Sequence, residues 1–351
     1  MSSAEITALY RKYRPKSFKD VIGQEHIVKT LEGALKLGNI FHAYLLTGSR
    51  GTGKTTVARI VAQEIGASPE DIYEIDAASN NGVDEMRALN EAVSTLPFNS
   101  KYKVYIFDEV HMFSKSAFNA LLKTLEEPPA HVVFILATTE YDKVPETIIS
   151  RCQVFQFKKP TKEILRESVV AIAKKEGFVL ESGVAELVAL LGDGSFRDTQ
   201  GILQKIISAS KDKKITLAEV EMVTGAPRSE IVNSFIEALE AKKIDSALTA
   251  LHEALNANVD AKVFMKLALL KLRFVLLLRY AKEMEAEIAE EVSPEDFAFI
   301  KKLSVAPNSA ISSALLFELL VASDAVGRAY IPALPIELAL ARILGQNGQS
   351  L

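Results

Sequence analysis

The segment GSRGTGKT, Gly48 to Thr55, constrains this chain more than any other feature. It matches the phosphate-loop pattern G-x-x-x-x-G-K-[ST]. Its context is the one the mechanism requires. The apolar run HAYLLT (42–47) precedes it, and the helix-patterned run KTTVARIVAQEI (54–65) follows. Gly48, Gly51 and Gly53 let the backbone curl so that the N–H groups of Ser49, Arg50, Thr52 and Thr56 and their neighbours turn toward phosphate oxygens. The start of the following helix adds its partial positive charge. In this pattern Lys54 reaches the β- and γ-phosphates and the Thr55 hydroxyl ligates Mg²⁺.

Around the loop the sequence alternates between two periods. Strand-like runs lie at 42–47, 71–76, 103–108 and 131–138, and helical stretches at 25–37, 54–65, 83–96 and 115–125. Such alternation implies a parallel α/β sheet with helices on both faces. VYIF and VVFIL are apolar on both faces, as buried parallel strands are. After Pro160 no convincing strand is visible. Helical patterns follow, near 229–240, 243–257, 260–281, 293–304, 309–327 and 335–345. The expected fold is therefore α/β and then all-α. It divides into a nucleotide-binding domain (1–160), a small helical lid (161–226) and a helical C-terminal domain (227–351).

Composition closes off other classes. The single cysteine, Cys152, excludes an internal disulfide and a cysteine-based zinc site, and reads as a buried structural thiol. His26, His42, His111, His131 and His252 show no metal-ligand spacing. The N-terminus has no apolar core of a secretory signal. The apolar stretch 263–278 is interrupted by Lys266, Lys271 and Arg273, which suits a buried helix and not a membrane span. These absences point to a cytoplasmic protein. The net charge of −4 argues against a strongly basic nucleic-acid coat, though not against a local basic surface.

A second chemical signal is KVYIFDEVH (103–111), an apolar strand ending in two acids. Asp108 is placed to hold Mg²⁺ through water, and Glu109 to orient or deprotonate an attacking water. Thr138 and Thr139 end the next strand, where a hydroxyl can face the same phosphates or simply be a β-branched strand residue. Arg151 in SRC and Arg197 in GSFRD are of the kind that stabilises phosphoryl-transfer charge, and equally of the kind that covers surfaces. The basic run Arg11, Lys12, Arg14, Lys16, Lys19, interleaved with Tyr10, Tyr13 and Phe18, reads either as a solvated arm or as a cover over a nucleotide base or nucleic acid.

Taken together, the chain resembles the γ/τ subunits of the bacterial DNA polymerase III clamp loader, within the AAA+ ATPases. The strings carrying the resemblance are YRKYRPKSFKDVIGQEHI (10–27), HAYLLTGSRGTGKTT (42–56), EIDAASNNGVDEMR (74–87), KVYIFDEVHMFSKSAFNALLKTLEEPP (103–129), FILATTEYDKVPETIISRC (134–152) and GSFRDTQ (194–200). The resemblance implies an arginine finger at Arg151, acting in trans, and a lid sensor arginine at Arg197, acting in cis. It implies a sensor hydroxyl at Thr139, with Thr138 the adjacent possibility. Tyr10, Arg11, Arg14, Pro15, Val21 and Ile22 fall in the region that packs around adenine. The family's usual four-cysteine zinc module is missing, since only IGASPEDI (65–72) joins the phosphate-loop helix to the next strand. The length leaves no room for a long τ extension, so a short γ-like form is expected.

The resemblance implies an ATP- and Mg²⁺-dependent motor subunit of the replicative clamp loader. Its partners would be further γ copies with δ and δ′ in a ring, the β sliding clamp and primer–template DNA. Two alternatives stay open: another DNA motor, of replication-factor-C or branch-migration type, and a scaffold that binds nucleotide without hydrolysing it.

Overall fold

The computed structural model describes residues 7–79, 82–210 and 212–345. Asn80 and Asn81, within the string at 74–87, lie outside that range. The chain forms two compact units. The first comprises Met1–Ser168 with Gly192–Gly201, and the second Val169–Leu191 with Ile202–Leu351.

The first unit runs α1 (Leu9–Lys12), α2 (Glu25–Lys36), β1 (Ala43–Thr47), α3 (Lys54–Glu64), β2 (Ile72–Asp76), α4 (Val83–Val93), β3 (Lys103–Asp108), α5 (Lys115–Glu126), β4 (Val132–Thr138), α6 (Glu146–Ile149) and β5 (Gln153–Gln156). All five strands are parallel, in the order β2-β3-β4-β1-β5. The central strands β1, β3 and β4 are buried almost end to end, which is why they read as unbroken apolar runs. One face of the sheet packs Ile27, Leu31, Val57 and Val61 against Leu46, Ile106 and Ile135. The other packs Phe118, Leu121 and Leu125 against Leu45, Phe107 and Phe134.

Strand β5 was not anticipated from the sequence. It is an edge strand with exposed Val154 and Gln156, so it lacks the apolar run of its neighbours. Helix α4 stops at Val93, short of the expected Leu96, because Ser94 and Thr95 close the last turn and Pro97 cannot continue it.

Helix α7 (Lys162–Lys175) follows, then β6 (Val179–Leu180), α8 (Val184–Leu191), α9 (Phe196–Ala209), β7 (Lys214–Ile215) and α10 (Leu217–Thr224). β6 and β7 pair in parallel, which corrects the expectation of no strand beyond Pro160. Two-residue strands are too short to show a period. Helices α11 (Ser229–Glu240), α12 (Ile244–Asn256), α13 (Ala261–Tyr280), α14 (Glu285–Glu291), α15 (Pro294–Ser304), α16 (Ser313–Val326) and α17 (Leu334–Leu344) complete the second unit. Of these seven helices, α14 alone had no counterpart in the sequence reading. They share one core, centred on Phe235, Phe264, Phe274, Leu272, Leu319 and Leu340. α13 is the longest helix among the described residues, and it is nearly encircled by this core, which accounts for its apolarity. No helix among the described residues is long and apolar enough to cross a membrane.

Candidate nucleotide site

Three parallel strands deliver the site. β1 ends in the phosphate loop, β3 ends in Asp108, and β4 lies between them and ends in Thr138. In an open parallel sheet, ligands bind beyond the carboxyl ends of the strands, where the strand order reverses. Here the chain leaves β1, crosses to β2 at one edge, returns through β3 and β4, and passes to β5 on the other side of β1.

The loop is held in a conformation that glycine permits. Gly48, Gly51 and Gly53 all have positive φ, at 144°, 74° and 102°. At Gly48 a Cβ would lie 2.6 Å from the Phe157 carbonyl, and at Gly51 it would collide with the Ser195 hydroxyl. The loop is thus gripped from both sides. Phe196 N–H donates to the Gly51 carbonyl at 3.0 Å, and Thr52 Oγ1 donates to the Ser49 carbonyl at 2.9 Å. Gln24, fully buried, exchanges two hydrogen bonds with the Lys158 backbone, at 2.7 and 3.1 Å, and so ties the segment before α2 to the chain just past β5.

Lys54 opens α3 and is buried. Its Nζ donates to the carbonyls of Gly48 (2.8 Å) and Ser49 (3.0 Å). Burial pulls its ammonium below the ordinary lysine value, while the carboxylates of Glu109 and Asp108 act against that. Thr55 Oγ1 donates to Asp108 Oδ2 at 2.9 Å, which joins the phosphate loop to the acid pair. Glu109 adopts a left-handed backbone, φ 52°, a rare state for a residue with a side chain. Its Oε2 accepts from Thr139 N–H (3.0 Å) and Thr139 Oγ1 (2.9 Å). Thr139 therefore faces the glutamate. Thr138 is fully buried and turns to His111 and to the Glu140 backbone.

The remaining sequence candidates divide. Arg197 lies in the first turn of α9, exposed, with its guanidinium 5.1 Å from the Tyr10 ring centroid. Arg11 and Arg197 together hold the Tyr10 hydroxyl below its usual value. Val21 packs against the core, and Ile22 is exposed. Arg14 and Pro15 lie between α1 and Val21, outside regular secondary structure. Arg151 is engaged elsewhere: it donates to the Thr147 carbonyl (2.7 Å), Ser150 Oγ (3.3 Å) and Glu126 Oε1 (2.5 Å). Burial pushes the Cys152 thiol up to about 12, far from a reactive thiolate.

Three contributing residues escaped the sequence reading. His111 had been set aside as one of five scattered histidines, yet it touches Glu109, Thr138 and Glu140. Its two-residue distance from Glu109 along the chain was the available signal. Ser195 and Phe196 buttress Gly51, a contact across more than a hundred residues that no local pattern encodes.

A family profile described as "DNA polymerase III, delta subunit" matches residues 66–161. The Bacillus subtilis protein named DNA polymerase III subunit tau is 41% identical over 311 residues, covering 83% of this chain and 55% of that one. The Mycobacterium tuberculosis H37Rv gamma/tau subunit is 35% identical over 312 residues, covering 82% and 54%. The Escherichia coli K12 tau subunit is 38% identical over 273 residues, covering 72% and 42%. The chain belongs to the DNA polymerase III gamma/tau family. It spans about half the length of these curated relatives. Among solved structures, Thermotoga maritima RuvB, described as a Holliday junction branch migration motor, superposes with a TM-score of 0.53 at 22% identity, covering 68% of this chain and 85% of that one. At that identity the likeness is one of fold alone.

Proposed function

We propose that this gamma/tau-family chain is an ATP-hydrolysing motor subunit of a replicative clamp loader. The observation that carries the reading is the hydrogen bond from Thr55 to Asp108, with Glu109 next in sequence and a buried Lys54 on the same loop. Hydroxyl and carboxylate oxygens are the hard donors that Mg²⁺ takes, and it commonly uses few protein ligands together with substrate phosphates. Thr55 and Asp108 would hold the ion, which supplies charge neutralisation at the phosphates when bound. Lys54 and the loop N–H groups bind and orient the triphosphate. Glu109 orients the attacking water and accepts its proton. Thr139 keeps that carboxylate at the end of β4. No covalent intermediate is called for, because positioning and charge stabilisation carry the reaction.

Arg151 is read as the finger that completes a neighbouring subunit's site, and Arg197 as the lid arginine of its own. The contacts of Arg151 run to Glu126 and the end of α6 and not to the phosphate loop, which fits a role in trans. Subunit contacts have a candidate surface as well. α16 exposes Phe317, Leu320 and Val321, and α17 exposes Leu334 and Leu338, apolar side chains that a neighbouring subunit would cover. We read the chain as nucleotide-binding domain 1–160, lid 161–226 and oligomerising domain 227–351. Its partners would be further copies with δ and δ′, the sliding clamp and primer–template DNA.

The test is ATP turnover with primer–template DNA and clamp, in the reconstituted assembly, for Arg151→Ala and Glu109→Gln. Both are expected to bind ATP as the unsubstituted chain does and to lose most of the DNA-stimulated turnover. Unchanged turnover in Glu109→Gln would favour a nucleotide-binding scaffold instead. Unchanged turnover in Arg151→Ala would remove the finger from the mechanism.

A further inference from the structure

His111 is buried, its side chain 7% exposed, immediately behind the acid pair. Its Nδ1 lies 3.0 Å from Thr138 Oγ1 and 3.4 Å from Glu109 Oε2. Its Nε2 lies 3.2 Å from Glu140 Oε1, and Glu140 Oε2 in turn pairs with Lys143 Nζ at 2.8 Å. The Thr138 hydroxyl has one proton and already donates it to the Glu140 carbonyl at 3.2 Å. With the hydroxyl proton placed on the Glu140 carbonyl, Thr138 accepts from His111, and Nδ1–H is assigned as the donor. Nδ1 also lies 3.4 Å from Glu109 Oε2, the oxygen that Thr139 engages twice. The left-handed backbone of Glu109 adds a second reason to expect outside restraint, since such a conformation persists where surroundings over-determine it.

We propose that His111 is a positioning residue for Glu109, and that the run Glu109–His111–Glu140–Lys143 ties the water-orienting carboxylate to the exposed turn that leads into α6. The inference rests on the ATPase reading above. Glu140 and Lys143 stand at the surface, with Lys143 holding the Glu140 carboxyl below the ordinary range. α6 runs directly into Arg151. A partner that engages this surface thus displaces Lys143 or Glu140 and, through the imidazole, changes where the Glu109 carboxylate points. The side chain with leverage on turnover is then one that touches neither nucleotide nor metal.

The experiment measures kcat and KM for ATP in the reconstituted assembly containing the full chain. His111→Leu is expected to lower kcat about tenfold or more with KM within about twofold of its starting value, since only a positioned base is lost. His111→Asn keeps a donor near the Nδ1 position and should recover most of the loss. Glu140→Gln should cost less and should add nothing in the His111→Leu background, as members of one chain of contacts do. Melting temperature controls for folding. Without nucleotide, ¹⁵N spectra of the imidazole should show a protonated Nδ1. Unchanged kcat in His111→Leu, failure of His111→Asn to rescue, or a bare Nδ1 would each overturn the assignment. An unsubstituted assembly without ATP turnover would overturn the ATPase reading itself, while the ¹⁵N result would still decide the hydrogen-bond geometry.

Discussion

Two lysines in this chain are buried to the same degree. Lys54 and Lys271 are each 5% exposed, and burial pulls both ammonium groups below the ordinary lysine value. Their partners differ. Lys271 Nζ, on α13, donates to Asp296 Oδ1 (2.6 Å), Asn233 Oδ1 (2.8 Å) and Ser229 Oγ (2.5 Å). Its charge is answered by a carboxylate and its donors by side chains from two neighbouring helices, α11 and α15. Lys54 donates to two carbonyls of its own loop, and Glu109 and Asp108 act on it through space. It also sits at the first turn of α3, the positive end of a helix dipole. The second unit's lysine is satisfied by the fold. The first unit's lysine is held desolvated beside further positive potential, a poor arrangement for stability and a good one for a polyanion.

That contrast is broken most directly by removing each cation. Lys271→Ala leaves Asp296, whose side chain is 17% exposed, without its counter-charge and should cost up to about 3 kcal/mol, the low end for breaking a buried pair. Chemical denaturation followed by circular dichroism checks it. Lys54→Ala removes a cation with no ion pair to orphan, so stability should change little or rise. ATP turnover should fall about 10²–10³-fold, as when one preorganised charge-stabilising donor is deleted. If Lys54→Ala lost as much stability as Lys271→Ala, the distinction between a cation kept for a ligand and one kept for packing would fail.

The two lysines also show what a sequence can disclose. Lys54 was legible because its chemistry depends on near neighbours: three glycines, a threonine and a following helix, all within one turn of chain. Asp108 and Glu109 were legible for the same reason, as acids ending an unbroken apolar strand. Lys271 looked like a polar interruption of an apolar helix. Its partners Ser229, Asn233 and Asp296 come from α11 and α15 and meet only when the helices pack. Ser195 against Gly51 and Gln24 against Lys158 are equally non-local. The central strands were visible through burial on both faces. The edge strand β5 and the short pair β6–β7 carry no such pattern, being half exposed or two residues long.

Asp71 sharpens the comparison with the charge reversed, and with a smaller effect. It lies in the short connection 65–72 between α3 and β2 and is fully buried. Among the described residues no cation pairs with it. It accepts from the backbone N–H groups of Phe98 (2.6 Å), Asn99 (2.9 Å) and Ser100 (3.0 Å), and from the hydroxyls of Ser100 (2.6 Å) and Ser68 (3.0 Å). Burial alone would raise its carboxyl, but these donors outweigh burial and hold it well below the ordinary range. The sign follows: a carboxyl depressed in the folded state contributes stability above its unfolded value near 3.9, and that contribution is lost as pH falls toward the folded value. Asp71→Asn turns amide hydrogens toward N–H groups that need an acceptor. It should cost roughly 1.5–3 kcal/mol at neutral pH, the worth of hydrogen bonds to a charged group. The gap between the two proteins should narrow below about pH 4, where the unfolded carboxyl takes up its proton. Denaturation midpoints at pH 7 and pH 3.5 decide it. A gap that stayed constant with pH would mean that shape, and not the buried charge, holds the 98–100 loop to this connection.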